Sequence, residues 1–126
     1  MAAVNLTMDK LEDTLKNNDI VLIDFWAEWC GPCKMFGPVY ESVSEKHPDI
    51  AFTKVNTEQE QELAGAFGIQ SIPTLAIFRD NILIFKQPGA LPQEALEDII
   101  KQVRDLDMDE VRAEVEKQKA EHAQAN

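Results

Sequence analysis

The run Ile20-Val21-Leu22-Ile23-Asp24-Phe25-Trp26-Ala27 is apolar at every position but one. Successive side chains of a β-strand point to opposite faces, so a strand without polar alternation must be covered on both. The run therefore belongs at the centre of a sheet with helices above and below it. Cys30 to about Lys46 reads as one such helix, with Pro32 near its start and a kink expected at Pro38.

The remaining segments extend this layout. Thr7 is placed to cap a short helix striped by Met8, Leu11 and Leu15, which Asn17-Asn18-Asp19 ends. Ile50 to Asn56 reads as a second central strand, after the break at His47-Pro48-Asp49. Thr57 and Glu60 have capping-box spacing for a helix stopping around Gly65 to Gly68. Thr74 to Phe78 and Ile82 to Lys86, joined by Arg79-Asp80-Asn81, predict an antiparallel hairpin. Beyond the loop at Pro88-Gly89, Pro92 suits the first turn of a helix striped by Leu96, Ile99, Ile100 and Val103. Ala2 to Leu6 is read as a short edge strand. The fold class is α/β, a mixed sheet with helices on both faces.

Length and charge narrow the function. At 126 residues, 44% of them hydrophobic, the chain suits one compact domain that needs no disulfide staple or structural metal. The net charge of −11 opposes binding to phosphate backbones or anionic lipid, so neither nucleic acid nor membrane is expected as a partner. No apolar run approaches the ~20 residues that cross a bilayer, and the N-terminus lacks the pattern of a signal peptide. Two cysteines are too few for a secreted disulfide scaffold, which points to a reducing cytoplasm. Residues 1–104 form the domain; residues 105–126, with seven acids and three bases, form an acidic helical extension. There Asp107 and Glu110 have capping-box spacing and Arg112 and Glu116 stand i,i+4. The extension is read as a solvated appendage, with a partner-docking helix as the alternative.

The chemistry sits in Trp29-Cys30-Gly31-Pro32-Cys33-Lys34, where the buried strand ends and a helix begins. A helix N-terminus favours negative charge, and the thiolate is the nucleophilic form of cysteine. Cys30 receives most of that benefit. Cys33 lies one turn on, near enough to close a small ring, and Pro32 stiffens the turn between them. So short a loop adds little stability, which leaves reversible bond making and breaking as its use. On this reading Cys30 attacks a substrate disulfide and Cys33 resolves the mixed disulfide. The mechanism requires an accessible attacking sulfur. A zinc site would need two more ligands, and the two histidines are poorly placed: His47 lies roughly 20 Å along the helix from Cys33, and His122 is in the extension. No metal is expected.

The stretch Phe25-Trp26-Ala27-Glu28-Trp29-Cys30-Gly31-Pro32-Cys33-Lys34-Met35 closely resembles the active site of the bacterial thioredoxin family, and the resemblance covers roughly Leu6 to Val103. It implies the thioredoxin fold and a general protein-disulfide reductase. It also implies that Asp24 accepts a proton from the resolving cysteine, that Lys54 pairs with Asp24, and that Pro73 is cis and faces the disulfide. Ile72 would then offer backbone hydrogen bonds to an extended substrate, and Trp29, Gly31, Pro32, Ile72, Gly89 and Ala90 would form a flat apolar patch around Cys30. Trp26 is expected beneath the site, with a positioning role toward Asp24 as the alternative. Electrons would come from a separate NADPH-dependent thioredoxin reductase. The chain has no G-x-G-x-x-G after a strand, so no bound cofactor is expected. The protein would be a monomer. A binding or adaptor subunit with incidental thiols is the alternative of another class; an oxidase or isomerase is disfavoured by Gly-Pro between the cysteines. Pro88 before Gly89, the glycine-free Asp80-Asn81 turn and the long tail depart from the family pattern.

Overall fold

The structure is a computed structural model that describes residues 3–125. In chain order the elements are β1 (Val4–Asn5), α1 (Met8–Asn17), β2 (Ile20–Trp26), α2 (Gly31–Lys46), β3 (Ala51–Asn56), α3 (Gln61–Ala66), β4 (Thr74–Arg79), β5 (Ile82–Pro88), α4 (Gln93–Asp105) and α5 (Met108–Ala125). They build one five-stranded sheet in the order β1-β3-β2-β4-β5. The pairs β1–β3 and β3–β2 are parallel, and β2–β4 and β4–β5 are antiparallel, so the sheet is mixed as expected. The expected edge strand is present over Val4–Asn5; Ala2 lies outside the described residues.

β2 sits in the middle, and its two faces feed two cores. Ile20 and Leu22 pack with Phe36, Tyr40 and Val43 of α2 and Leu96, Ile100 and Val103 of α4. Val21, Ile23 and Phe25 pack with Met8, Leu11 and Leu15 of α1 and Leu63 of α3. This is why the run lacks polar alternation: six of its seven positions in β2 are buried. The period of two also fixes where Asp24 goes, between Leu22 and Trp26 on the α2/α4 face.

Tight connections hold the elements in place. Asp80 and Asn81 adopt positive φ values of 52° and 64°, the pair of left-handed residues a two-residue hairpin turn requires. Asp and Asn tolerate that region better than other side chains, so glycine is dispensable here. Pro38 lies inside the continuous helix α2 on its exposed side, where the carbonyl left without an amide donor can be hydrated.

Three local expectations are corrected. Thr7 occupies the cap position of α1 without capping, because its hydroxyl bonds the Asp9 carboxylate. Thr57 and Glu60 form no capping box. Thr57 Oγ1 donates to the Trp26 carbonyl at 3.1 Å, Glu60 accepts from the Met8 amide, and α3 starts only at Gln61. Arg112 leaves Glu116 and pairs with Asp109 at 2.8 Å and Asp80 at 3.1 Å. The third spacing signal holds: Asp107 Oδ1 accepts from the amides of Asp109 and Glu110 and caps α5.

The base of α5 is fastened. Met108 is buried, Arg112 reaches the β4–β5 turn, and Arg79 Nη1 donates to the carbonyls of Val103, Arg104 and Leu106 at the end of α4. Beyond Val115 its described side chains are exposed. Among the described residues no helix is long and apolar enough to cross a membrane.

Candidate active site

Both cysteines are placed by the end of β2. Past Trp26 the chain makes one turn, with the Cys30 amide donating to the Ala27 carbonyl at 3.3 Å, and enters α2. Cys30 is the N-cap: its backbone is extended (φ −85°, ψ 114°), and its sulfur accepts the Cys33 amide at 3.2 Å. A negative charge on that sulfur would be met by an amide hydrogen and the positive end of the helix dipole. Pro32 is in the first turn, where its missing amide hydrogen is harmless. Cys33 comes one turn in, the two Cα atoms are 5.2 Å apart, and the sulfurs form a disulfide.

Accessibility is narrower than the reaction suggests. Cys30 keeps 3% and Cys33 6% of their surface, because Trp26, Ala27 and Ile72 pack around them. Exposure therefore does not rank the two sulfurs; their positions on the helix do. The surroundings are open: Trp29 is 68% exposed, and Gly31, Pro32, Gly89 and Ala90 are exposed. A cavity of about 400 Å³ bordered by Trp26, Cys33, Gly37, Glu41 and Lys54 reaches Cys33 from one side. On the other, a groove of about 510 Å³ runs from Trp29 and Ile72 along Thr57, Gln61, Ala64 and Ile69.

The loop before β4 closes the site. The Ile72–Pro73 peptide bond is cis. The Ile72 carbonyl lies 3.7 Å from Cys30 Sγ, and the half-buried Ile72 side chain packs on the cysteine pair. A disulfide sulfur carries no hydrogen, so this approach becomes a hydrogen bond only when Cys30 is a thiol. The Pro73 carbonyl is taken by the Gly89 amide at 2.8 Å, which fixes the β5–α4 loop beside the site. Gly89 has φ +113°, and a Cβ there would meet no atom within 4 Å, so backbone conformation and not space demands the glycine.

Asp24 is 1% exposed, and its Oδ1 has no hydrogen-bond partner. Burial pushes its carboxyl up to about 7, against the smaller opposing pull of the Lys54 charge. Lys54 stands opposite Asp24 in the β2–β3 register, as the resemblance implies. The implied ion pair is not a contact, since no Lys54–Asp24 bond forms and Lys54 Nζ sits 4.9 Å from the Trp26 ring centre. Trp26 packs beneath the cysteines, and its buried Nε1 has no partner, so it does not orient Asp24 by hydrogen bonding. The sequence reading missed two neighbours. Tyr40 is fully buried and bonds the Thr53 backbone through its hydroxyl; burial and the Asp24 charge push its phenol well above the usual range. Met35 is 74% exposed, and the helical wheel of α2, which turns it about 100° from Phe36 and about 140° from Tyr40, off the buried stripe, was signal enough to find it.

Among the described residues no group of three or more His, Cys, Asp or Glu side chains is placed to hold a metal ion. The site combines a redox disulfide with the buried Asp24 carboxyl, beside a cavity that also carries Glu28, Glu41, Lys34 and Lys54, which suits thiol–disulfide exchange coupled to proton transfer.

Comparison with known proteins agrees. The family model described as Thioredoxin matches residues 2–102. A Streptomyces coelicolor protein provisionally named thioredoxin 2 is 58% identical over 120 residues, 95% of this chain and 90% of that one. Thioredoxin of Bacillus subtilis is 39% identical over 101 residues, 79% and 96% of the two chains. Among solved structures, a thioredoxin mutant from Halobacterium salinarum superposes with a TM-score of 0.77 at 36% identity, covering 82% of this chain and 92% of that one. Oxidised mitochondrial thioredoxin 3 of Saccharomyces cerevisiae gives 0.74 at 35% identity, covering 79% and 94%.

Proposed function

The chain belongs to the thioredoxin family and is a thiol–disulfide oxidoreductase of the disulfide-reductase kind, and on that premise we propose a role for each residue of the site. The observation that carries the proposal is the Cys30–Cys33 disulfide at the N-terminus of α2. The reduced protein begins the cycle. The Cys30 thiolate attacks one sulfur of a substrate disulfide, forming a mixed disulfide and releasing the other substrate sulfur as a thiolate. Cys33 loses its proton to Asp24 and attacks Cys30 Sγ. The intramolecular disulfide forms, and the second substrate thiolate leaves. Two electrons have passed to the substrate, which takes up two protons as its thiols form. An adaptor with idle thiols is not favoured.

Asp24 suits its role because burial holds its carboxyl near neutrality, where it can both accept and return a proton. Lys54, opposite it, lowers the cost of its charge. Trp29, Gly31, Pro32, Ile72, Gly89 and Ala90 make the docking surface, the buried cis Pro73 shapes the loop that presents Ile72, and an extended substrate segment adds along Ile72 in the manner of a strand.

Disulfide-containing proteins and a reductase are the general partners of the family. For this chain we assign an NADPH-dependent thioredoxin reductase as the electron source, with no cofactor bound to the chain itself, a cytoplasmic location and a monomeric state.

The test is mutational. Cys30→Ser abolishes reduction of insulin disulfides, whereas Cys33→Ser accumulates a mixed disulfide visible by mass spectrometry. Insulin reduction at the parent rate by Cys30→Ser would overturn the assignment.

A further inference from the structure

Among the described residues four large apolar side chains are exposed: Val4, Trp29, Met35 and Leu83. Two of the four, Trp29 and Met35, flank the cysteine pair in sequence, and Met35 is the most exposed of the four at 74%. It belongs to neither of the sheet's cores nor to the cluster around the cysteines, so packing does not account for it. Lys34, Gly31, Pro32 and Pro38 around it in sequence are exposed as well. The space over Gly31 is empty, since a Cβ there would meet nothing within 4 Å. Gly31 and Met35 stand i,i+4 on one face of α2, so the first turn presents a bare backbone position followed by an exposed thioether.

We propose that Met35 is a specificity-determining contact for protein disulfides, an adaptable apolar wall for the partner's chain on the side of Cys30 away from the Ile72 loop. The inference rests on the reductase reading and deepens it. Its physical basis is the size of a docked partner. A protein–protein interface covers about 800 Å² on each side, a disc of roughly 16 Å radius. Met35 lies five residues along α2 from Cys30, about 7.5 Å of axial rise, and is turned about 200° around the helix from Cys33, so the reach across the helix, roughly 10 Å, adds to the rise and still falls inside that radius. A protein whose sulfur is bonded to Cys30 Sγ covers Met35, whereas a small disulfide does not extend so far. Methionine suits the place because its unbranched, polarisable side chain re-forms around different neighbours, as a surface that meets many substrates requires.

Two substrates compared on the same variant give the test. Insulin serves as the protein disulfide and 5,5′-dithiobis(2-nitrobenzoate) as the small one, with dithiothreitol as electron source for the insulin assay and the pre-reduced protein for the second. For Met35→Ala the ratio of the two kcat/KM values, protein over small disulfide, falls about fivefold, with the change in KM for insulin. Met35→Leu, which keeps the apolar bulk, restores the ratio to within twofold of the parent. A ratio unmoved in Met35→Ala would overturn the inference while leaving the reductase function intact. Failure of the parent protein to reduce either disulfide would instead overturn the reading on which it rests.

Discussion

Asp24 is a costly residue to bury. An aspartate buried beside two apolar neighbours of its own strand, with one carboxylate oxygen unbonded, is poorly suited to its negative charge. The sign of its linkage follows. Its folded pKa, about 7, lies above the ordinary value of 3.8, so the folded protein holds the proton more tightly than the unfolded chain. No cost arises below pH 3.8; the cost grows between there and about 7 and is constant above. Asp24→Asn thus stabilises the protein at pH 8 by a few kcal/mol at most, since a buried amide still lacks a partner, and the gain disappears as pH falls to 4. Denaturant unfolding at both pH values checks it, and equal stabilisation at the two would contradict the linkage. The same substitution slows resolution of the mixed disulfide, chiefly near neutral pH. Asp24 was legible as the one ionisable residue in an apolar run. What the sequence did not convey is that Lys54, correctly placed by register, lays its ammonium over Trp26 instead of bonding the carboxylate.

At the scale of elements, long patterns were readable and short ones were not. β2 and α4 declare themselves because burial repeats over seven and thirteen residues, and no local alternative competes with so many side chains. Caps depend on a single oxygen. Thr57 and Asp107 each open a capping-box spacing, yet only Asp107 caps, because Thr57 lies beside the Trp26 carbonyl, a partner 31 residues away. The same distance problem hides the anchoring of α5, whose sequence reads as a solvated appendage. Met108, Arg112 and the Arg79 bonds beneath it make its first turns part of the domain, whereas its exposed outer turns fit that reading. Ending the chain after Asp107 removes the buried Met108 side chain and the exposed Arg112–Asp80 pair. Burial of one methionine contributes about 1.5–3 kcal/mol and an exposed ion pair under about 1, so the truncated protein loses on the order of 2 kcal/mol. Reduction of insulin continues at the parent rate, because α5 docks where β2 begins, seven residues from the Cys30 end. Thermal unfolding and the insulin assay test the two halves; an unchanged Tm would show that the anchor contributes nothing.

The whole molecule keeps its net charge away from its chemistry. The Cys33 cavity holds two carboxylates, Glu28 and Glu41, and two ammonium groups, Lys34 and Lys54, while the groove beside Trp29 is lined by uncharged residues only. The charges lining the Cys33 cavity cancel formally, so the net charge of −11 is carried elsewhere, and short-range contacts in the groove beside Trp29 do not select substrates by charge. Selection of that kind is left to the long-range field, which salt removes. The Debye length falls from about 30 Å at 0.01 M to about 10 Å at 0.1 M ionic strength. At the lower salt a basic protein disulfide is drawn in by the acidic surface and an acidic one repelled. Across that range kcat/KM should fall for the basic substrate and rise for the acidic one, with the two converging at high salt and kcat little changed. Parallel salt responses for both substrates would place the acidic surface outside the encounter altogether. Convergence would mean that the neutral groove and Met35 choose by shape what the field has first gathered by charge.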